Sequence, residues 1–319
     1  MNQIWKNIGL VGALVFGVAV SMQAQFVGVR SLFLSSTVID NPASVGNLPC
    51  LDMRMGVRSQ WTGFEDAPLT SFATLSGRLS DATTFGHGLG GYVMTDAAGP
   101  WSTTRLSMAY STKVRLTNGA RLSAGLGLGL VQYRLDVQSL DFPEVASTED
   151  PAVMNSSNTQ TVFPGVDFGL WYEDNRNFAA FSLQNVMANP LSDLTQSTSS
   201  GRVAVLMAGK FIKLDKKFAF RPAAAMRVAS GIPVSLDIQG TFSMDDMVSL
   251  GLGYRSRSAL VGVMSVRVLE SMTIGYAYDF GVSGFGAASR NSHEIVVSLS
   301  ACDKNDPYIG PNGRCPAYD

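Results

Sequence analysis

The side chains that most often bind metals are few in this sequence and widely spaced. Its two histidines, His87 and His293, lie far apart, and the stretch SHEIV around His293 lacks the second histidine of a zinc-binding HExxH motif. The three cysteines are not spaced as pairs of zinc ligands. We therefore predict no metal site and no cofactor.

A glycine-rich run and two serine-containing stretches match catalytic motifs only in part. The run GLGLGL at 125–130 lies inside an alternating segment and does not open a helix, as a phosphate-binding loop would. The stretches ASRNS and VASGI lack the GxSxG pattern of a nucleophile elbow. Neither nucleotide binding nor serine hydrolase chemistry is predicted.

Acidic side chains at alternating positions are the remaining candidates for chemistry. Two neighbouring carboxylates can act as acid and base in an enzyme. Arginines occupy the same alternating positions. We favour the interpretation that these arginines form ion pairs with the carboxylates across a polar interior. The acidic candidates are Asp52, Asp237, Asp279 and Glu294, and their expected partners are Arg54, Arg58 and Arg255. We predict that the protein is not an enzyme.

The elements that would position these residues have a period of two. In LDMRMGVRS (51–59), PVSLDIQGTFS (233–243) and SMTIGYAYDF (271–280), apolar and polar side chains alternate as they do along β-strands. A soluble β-sandwich also alternates in this way. Strands of about ten residues, with Tyr and Met on the apolar face and Gly, Ser, Asp and Arg on the other, favour a membrane barrel.

We predict an all-β fold, a transmembrane antiparallel β-barrel of about 14 strands (roughly 12–16) spanning residues 51–301. The segments are 51–59, 70–80, 87–96, 101–115, 120–135, 164–173, 177–188, 203–212, 216–229, 233–243, 246–256, 258–268, 271–280 and 292–301. Tight connectors such as TNG (117–119) alternate with long ones at 136–163, 189–202 and 281–291. Outer-membrane barrels have short periplasmic turns and long external loops, so an even strand number places both termini in the periplasm.

Composition and the N-terminus indicate an exported protein. Lys6 precedes a short apolar run at 8–20, and small residues up to Ala24 complete a signal peptide predicted at 1–24. Only 15 % of the residues are charged, which is fewer than a soluble surface usually carries. The net charge of −1 shows no basic excess, so nucleic acid is not expected as a partner. The predicted membrane barrel implies contact with outer-membrane lipid.

The segments that flank the barrel region each have more than one interpretation. Residues 25–50 form a plug, for which inward glycines in 120–135 leave room, or else a periplasmic arm or a further strand. The tail at 302–319 is rich in Pro and Gly and could contact a partner. A Cys302–Cys315 disulfide would close a loop in this tail, and we favour it over a Cys50–Cys302 clamp between the first and last strands.

Five motifs, in order along nearly the whole mature chain, resemble the PorP/SprF family of Bacteroidetes outer-membrane proteins, and its PorP branch most. They are DNPASVG (40–46), RSQWTGFEDAPLT (58–70), DAAGP (96–100), IGYAYDF (274–280) and HEIVVSL (293–299). The residues that match the family motifs are Asn41, Pro42, Ala43, Gly46, Gln60, Trp61, Gly63, Phe64, Ala67, Pro68, Tyr276, Tyr278, Asp279, His293 and Glu294. The cysteine-bearing tail is not part of the pattern.

The resemblance implies a non-enzymatic outer-membrane component of the type IX secretion system. It would support export or surface attachment of proteins with a C-terminal sorting domain, in some species gliding adhesins, and would contact periplasmic or lipoprotein ring subunits linked to the motor. Trp61, Phe64 and Pro68 are then either an interfacial anchor or a rigid docking surface for cargo or a partner. The alternative function is a fatty-acid-transporter-like barrel for hydrophobic small molecules, which shares the strand number, the plug and the NPA motif.

Overall fold

The alternating segments form one antiparallel sheet in the computed structural model, which describes residues 28–81, 85–136, 159–187, 201–282 and 291–301. The strands are β1 (Leu51–Ser59), β2 (Leu69–Asp81), β3 (Phe85–Ala98), β4 (Trp101–Arg115), β5 (Arg121–Leu135), β6 (Thr159–Glu173), β7 (Asn177–Gln184), β8 (Val203–Lys210), β9 (Ile212–Lys213), β10 (Phe218–Ala229), β11 (Ile232–Met244), β12 (Val248–Arg255), β13 (Ala259–Leu269), β14 (Met272–Gly281) and β15 (Ser292–Ala301). Strands β8 and β9 both pair with β10 and are separated only at Phe211, so they count as one barrel strand. The predicted all-β fold of about 14 strands is confirmed.

The sheet closes on itself between its first and last strands. Strand β1 pairs with β15 from Leu51, opposite Ala301, to Ser59, opposite His293. The remaining barrel strands pair in sequence order around the ring. A closed ring gives the strand backbones internal hydrogen-bond partners without a free edge, as a strand structure in lipid requires.

The two faces of the wall differ as the alternation predicts. Leu122, Leu126, Leu128 and Leu130 of β5 point outward and are 44 % to 56 % exposed. Ser123, on the inward row of the same strand, is fully buried. Apolar side chains occupy the outward rows of the other strands as well, and this is the surface that a bilayer requires.

Residues 28–50 lie inside the barrel, and we call them the plug. They fold into three short turns, which are the 3-10 helix Phe33–Ser36, the α-helical turn Thr37–Asp40 and the 3-10 helix Pro42–Ser44. Gly28 lies against Thr70 and Asp96, and the segment leaves the lumen at Cys50, directly before β1. These residues lie where the plug interpretation expects them, and not where a periplasmic arm or a further strand would lie.

The barrel has two unlike ends. The connectors at 60–68, 136–158, 185–202 and 282–291 lie at one end, which we call the loop end. The opposite end, called the terminal end, carries the start of β1, the end of β15 and short connectors at 116–120, 174–176, 214–217, 245–247 and 270–271. The loop end also has short turns at 99–100, 230–231 and 256–258. The four long connectors thus join strands at one end, as predicted, but long and short connectors do not alternate strictly. The placement of the terminal end in the periplasm stays a prediction.

The predicted signal peptide at 1–24 and the tail at 302–319 lie outside the described residues. In the part of the chain that the structure describes, no helix has both the length and the hydropathy needed to cross a membrane.

Candidate functional site in the lumen and at the rim

The Asn41–Pro42 motif lies in the lumen, where it fastens the plug to two neighbouring strands. Asn41 Nδ2 donates to the carbonyl oxygens of Leu170 on β6 at 3.0 Å and of Phe181 on β7 at 3.1 Å. Its Oδ1 accepts a hydrogen bond from the N–H of Ala43 at 2.9 Å, which caps the turn that begins at Pro42. One short amide side chain therefore supplies both the donors and the acceptor that this position uses.

Glycines in the wall make room for this turn. A Cβ on Gly125 of β5 would lie 2.5 Å from Ala43 Cα, and a Cβ on Gly169 of β6 would lie 3.0 Å from Pro42 Cδ. Both distances are shorter than the optimal separation of about 3.5–4.0 Å between carbon atoms. Gly46, in the same motif, has a φ of +68°, which glycine adopts without strain. Of the inward glycines predicted in 120–135, Gly125 accommodates the plug, whereas the atoms nearest to a Cβ on Gly127 or Gly129 belong to the wall.

Replacing Asn41 by alanine is expected to lower the free energy of unfolding by about 1–3 kcal/mol, because two partly buried carbonyl groups and one buried N–H lose a hydrogen-bond partner. Thermal unfolding of the purified barrel in detergent measures the change. Asn118→Ala is the control, since Asn118 lies in an exposed turn and its Oδ1 accepts only from the Ala120 N–H. An equal loss in both variants would contradict the anchoring role of Asn41.

Eight buried charged side chains form an ion-pair network between the plug and the wall. Each is at most 5 % exposed, and four arginines balance four carboxylates: Arg30 and Asp40 in the plug, and Arg58, Arg227, Asp237, Arg255, Asp279 and Glu294 in the wall. Charges buried to this degree are tolerated in proteins only when they are paired. The wall charges pair with one another and Arg30 pairs with Asp40 within the plug, while the Arg227–Asp40 pair and the hydrogen bonds of Ser31 connect the two parts.

Arg227 on β10 joins the two parts of this network. Its Nη2 lies 3.5 Å from Asp40 Oδ2 in the plug, and its Nη1 lies 2.8 Å from Asp237 Oδ2 in the wall. Within the plug, Arg30 Nη2 lies 2.7 Å from the same Asp40 oxygen. Arg255 Nε contacts Asp237 Oδ1 at 2.6 Å, and Arg255 Nη1 contacts Asp279 Oδ2 at 3.0 Å, so Arg255 connects these two carboxylates.

Ser31 is the second residue, after Arg227, that connects the plug to the wall. Its Oγ donates to Asp279 Oδ1 at 2.7 Å and accepts from Arg58 Nη1 at 2.7 Å and from Arg255 Nη2 at 3.1 Å. Its backbone N–H donates to Glu294 Oε2 at 2.6 Å. One serine thus meets four charged groups, which lie on the four strands β1, β12, β14 and β15.

The ion pairs expected from the alternating rows are confirmed. Asp52 pairs with Arg54 at 2.7 Å, and the other three acidic candidates pair with Arg58 and Arg255 as described. The contributions of Arg30, Ser31 and Asp40 were not predicted, because the plug sequence has no periodicity that shows which side chains meet the wall. Arg227 was also missed, although its place on the inward row of β10 was a usable signal.

An apolar cluster holds the plug on the opposite side of the lumen. Trp171 of β6 is fully buried and stacks on Phe178 of β7, with ring centroids 5.3 Å apart. Phe33 of the plug packs into the same cluster. Trp171 Nε1 donates to Glu173 Oε2 at 3.0 Å, so the indole N–H is not left without a partner on burial.

The aromatic connector at 60–68 lies at the loop end, outside the lumen. Its base is closed by a hydrogen bond from the Gln60 N–H to the Pro68 carbonyl at 2.9 Å. Trp61 has a φ of +50° and Gly63 a φ of +101°, so the backbone turns sharply between them. The side chains of Trp61 and Phe64 are 40 % and 46 % exposed. The connector therefore presents aromatic surface on a constrained backbone.

Two neighbouring connectors hold this turn in place. The Thr62 N–H donates to the carbonyl of Asn291, directly before β15, at 3.1 Å. The Asp66 carbonyl accepts from the N–H of Gly99, in the turn between β3 and β4, at 3.1 Å. The motif at 58–70 is thus joined to the motifs at 96–100 and 293–299 at one rim.

His293 and Glu294 lie on opposite faces of β15. Tyr276 OH and His293 Nδ1 are hydrogen-bonded at 2.7 Å on the outward face, and the ring of Tyr278 meets the imidazole edge-on at 5.3 Å. Glu294 points inward, to the ion-pair network. The residues singled out from the motifs therefore fall in two places. Those in the lumen are Asn41, Pro42, Ala43, Gly46, Asp279 and Glu294, and the others lie at the rim or on the outward face near it.

Cys50, at the terminal end, is disulfide-bonded. Its partner lies outside the described residues, as do Cys302 and Cys315. Because a cysteine forms only one disulfide, this bond counts against the favoured Cys302–Cys315 pair and agrees with a clamp at Cys50. Leu51 lies opposite Ala301, so the β1–β15 register leads directly from Cys50 to position 302. The choice of partner stays a prediction.

Within the described ranges, no group of three or more His, Cys, Asp or Glu side chains is placed to hold a metal ion.

Comparisons with known proteins identify a family. A family model described as type IX secretion system membrane protein PorP/SprF matches residues 22–299. No match was found among curated proteins. Solved structures with a similar barrel include the CymD monoaromatic hydrocarbon channel, at 11 % identity and a TM-score of 0.49, with 86 % of this chain and 94 % of that chain covered.

Two further barrels are similar at the same level. The toluene transporter TodX of Pseudomonas putida is 11 % identical with a TM-score of 0.46, over 88 % of this chain and 96 % of that chain. A FadL homologue of Pseudomonas aeruginosa is 13 % identical with a TM-score of 0.42, over 83 % and 93 %. Likenesses this distant carry no argument about function.

Proposed function

We propose that this chain, which belongs to the PorP/SprF family of type IX secretion system membrane proteins, acts by binding other secretion proteins and not by passing solutes through its lumen. Family membership assigns it to the secretion apparatus as a membrane component. The barrel fold agrees with a place in the outer membrane. Its role within that apparatus is the proposal.

The observation that carries this proposal is the buried ion-pair network. Arg30, Ser31 and Asp40 of the plug contact charged groups on β1, β10, β14 and β15, so moving the plug would expose or separate several buried charges at once. Removing one partner of a buried ion pair typically costs about 3–5 kcal/mol. The plugged lumen therefore stabilises the fold. We place the binding of other proteins at the loop end and the terminal end of the barrel.

The finer assignment follows the resemblance and the layout of the connectors. We place the terminal end in the periplasm, where it contacts ring or lipoprotein subunits linked to the motor. We place the loop end outside, where the barrel supports export or surface attachment of proteins with a C-terminal sorting domain. The short turns at one end and the long connectors at the other support this orientation.

The transporter alternative calls for an apolar pocket in the lumen and a lateral opening at a kinked strand. The cavity that the described residues form at the terminal end mixes arginine, aspartate and serine with aliphatic side chains. The lumen next to it is occupied by the plug. These features favour protein binding over transport of hydrophobic small molecules.

Affinity purification of the tagged protein from native outer membrane, followed by mass spectrometry, tests the proposal. We expect ring, motor-coupling or sorting-domain proteins to be recovered with the barrel. Recovery of the barrel alone, with bound lipid or fatty acid, would overturn the binding function and support the transporter.

The rim connector supplies a sharper prediction for the same assay. Replacing Trp61 and Phe64 by alanine is expected to reduce recovery of a bound cargo or partner at least about tenfold, because exposed aromatic anchors often contribute 2 kcal/mol or more to an interface. Phe85→Ala is the matched control, since Phe85 is an exposed aromatic residue at the opposite end of the barrel. Equal recovery with both variants would limit these aromatic residues to anchoring the barrel in the interface.

A further inference from the structure

A cavity of about 340 Å³ opens at the terminal end between the plug and the wall. We call it the vestibule. Leu32, Leu34, Leu48 and Pro49 of the plug form one side of it, and strands from β10 to β15 form the other, with inward residues such as Thr273. It is separate from the ion-pair network and from the rim connector.

We propose that the vestibule is the docking site of the chain's own C-terminal tail, with Tyr308 and Ile309 as the side chains that enter it. The proposal does not depend on the role in secretion. It commits to an intramolecular occupant, and capture of a separate protein in the vestibule is the outcome that would contradict it.

The first support is the position of the two attachment points. Strand β15 ends at Ala301, and Ser298 and Ser300 of that strand line the vestibule. Cys50 is disulfide-bonded, and the chain's other two cysteines, at 302 and 315, both belong to the tail. The tail therefore begins at the edge of the vestibule, and both cysteines with which Cys50 could pair belong to it.

The second support is reach and local conformation. An extended chain advances about 3.4 Å per residue, so residues 303–309 can extend up to about 24 Å from the end of β15. The tail sequence DKNDPYIGPNGRCPAYD places Pro307, Gly310 and Pro311 around the two apolar side chains. Proline favours extended backbone in the residue before it, and glycine permits a turn, so this stretch is suited to a narrow opening.

The third support is chemical complementarity. Cavities of about 300–1,000 Å³ are the size of small-ligand pockets, so the vestibule accepts a few side chains and excludes a folded domain. Its lining is part aliphatic and part polar, as a tyrosine next to an isoleucine would require. Its charged residues are three basic and two acidic: Arg54, Arg221, Arg267, Asp246 and Glu270. Arg54 is paired with Asp52 and Arg221 with Asp246, so the lining is nearly neutral, as is the tail with its three acidic and two basic residues.

Photo-crosslinking within the full chain tests the proposal. A benzophenone amino acid in place of Thr273 is irradiated in purified outer membranes, and the barrel is then digested with trypsin. Cleavage after Lys304 and Arg314 releases the tail peptide NDPYIGPNGR, and we expect mass spectrometry to find it joined to β14. The crosslink is expected to be lost in a Tyr308→Glu, Ile309→Glu variant that keeps all three cysteines.

The control carries the same photo-reactive residue at Thr161, a partly exposed inward position near the loop end of β6, and no tail crosslink is expected there. Resistance of the unheated barrel to unfolding on a denaturing gel shows that each variant is folded. A crosslink from Thr273 to a different protein, no crosslink at all, or equal crosslinking from Thr161 would each overturn the proposal. None of these results would change the partners recovered by affinity purification, so the two proposals fail separately.

Discussion

Replacing Gly125 by alanine is expected to unseat the plug while the wall of the barrel stays folded. A Cβ at this position would lie 2.5 Å from the backbone Cα of Ala43, and a backbone atom cannot move aside by changing rotamer. Overpacking of this kind typically costs about 1–3 kcal/mol, which would increase the unseated population about 5- to 150-fold. Ion conductance through the purified barrel in a planar bilayer measures the change, and we expect it to rise.

The matched control is Gly127→Ala, on the same strand and the same inward row. The atoms nearest to a Cβ there are Asp167 Cβ and Ser107 Oγ, each at 3.3 Å, and both belong to side chains of the wall. We expect this variant to conduct like the unmodified barrel. If both variants stay closed, the plug is held more loosely against β5 than these contacts indicate. If both open, the effect comes from the strand and not from the plug.

Replacing Arg255 by methionine is expected to produce the largest loss of stability among single changes in the lumen. Its guanidinium contacts Asp237 at 2.6 Å, Asp279 at 3.0 Å, the Ser31 hydroxyl at 3.1 Å and the Arg30 carbonyl at 3.3 Å. Methionine has a similar length without the charge, so it leaves two buried carboxylates short of a counter-charge. Breaking a buried pair in this way costs about 3–5 kcal/mol.

Denaturant unfolding of the barrel in lipid vesicles measures this loss, and Arg134→Met is the comparison. Arg134 pairs with Asp136 at 3.4 Å, but the two side chains are 49 % and 34 % exposed. An exposed pair of this kind contributes at most about 1 kcal/mol. A loss at Arg255 no greater than the loss at Arg134 would show that the network does not hold the plug.

Most of the wall could be predicted from the sequence, because membrane barrels impose a period of two on every strand. The bounds of β1, β4 and β15 agree with the predicted segments residue for residue, and the others differ by a few residues at their ends. The same alternation placed Asp237, Asp279 and Glu294 on inward rows together with their arginine partners. Because lipid lies outside the barrel and a polar lumen lies inside, each alternating row of side chains could be assigned to only one of the two faces.

The interior could be predicted only in part, because the plug is irregular. The inward glycines showed that something occupies the lumen, but they did not show which side chains of residues 28–50 meet the wall. Asn41 and Pro42 were recognised as a motif, yet their role in capping a turn and binding Leu170 and Phe181 depends on contacts across more than a hundred residues of sequence. Turn geometry and long-range hydrogen bonds of this kind have no periodic signature.

The place of the plug in the chain has a consequence for biogenesis. The plug directly precedes β1, and β1 can close the ring only by pairing with β15, which comes from the far end of the described chain. Since Asn41 and Phe33 bind strands in the middle of the sequence, the wall has a template to curl around before its two edge strands meet. We therefore expect insertion into the membrane and filling of the lumen to occur in one assembly step. In a chain without its plug, the pairing of β1 with β15 is expected to be slower.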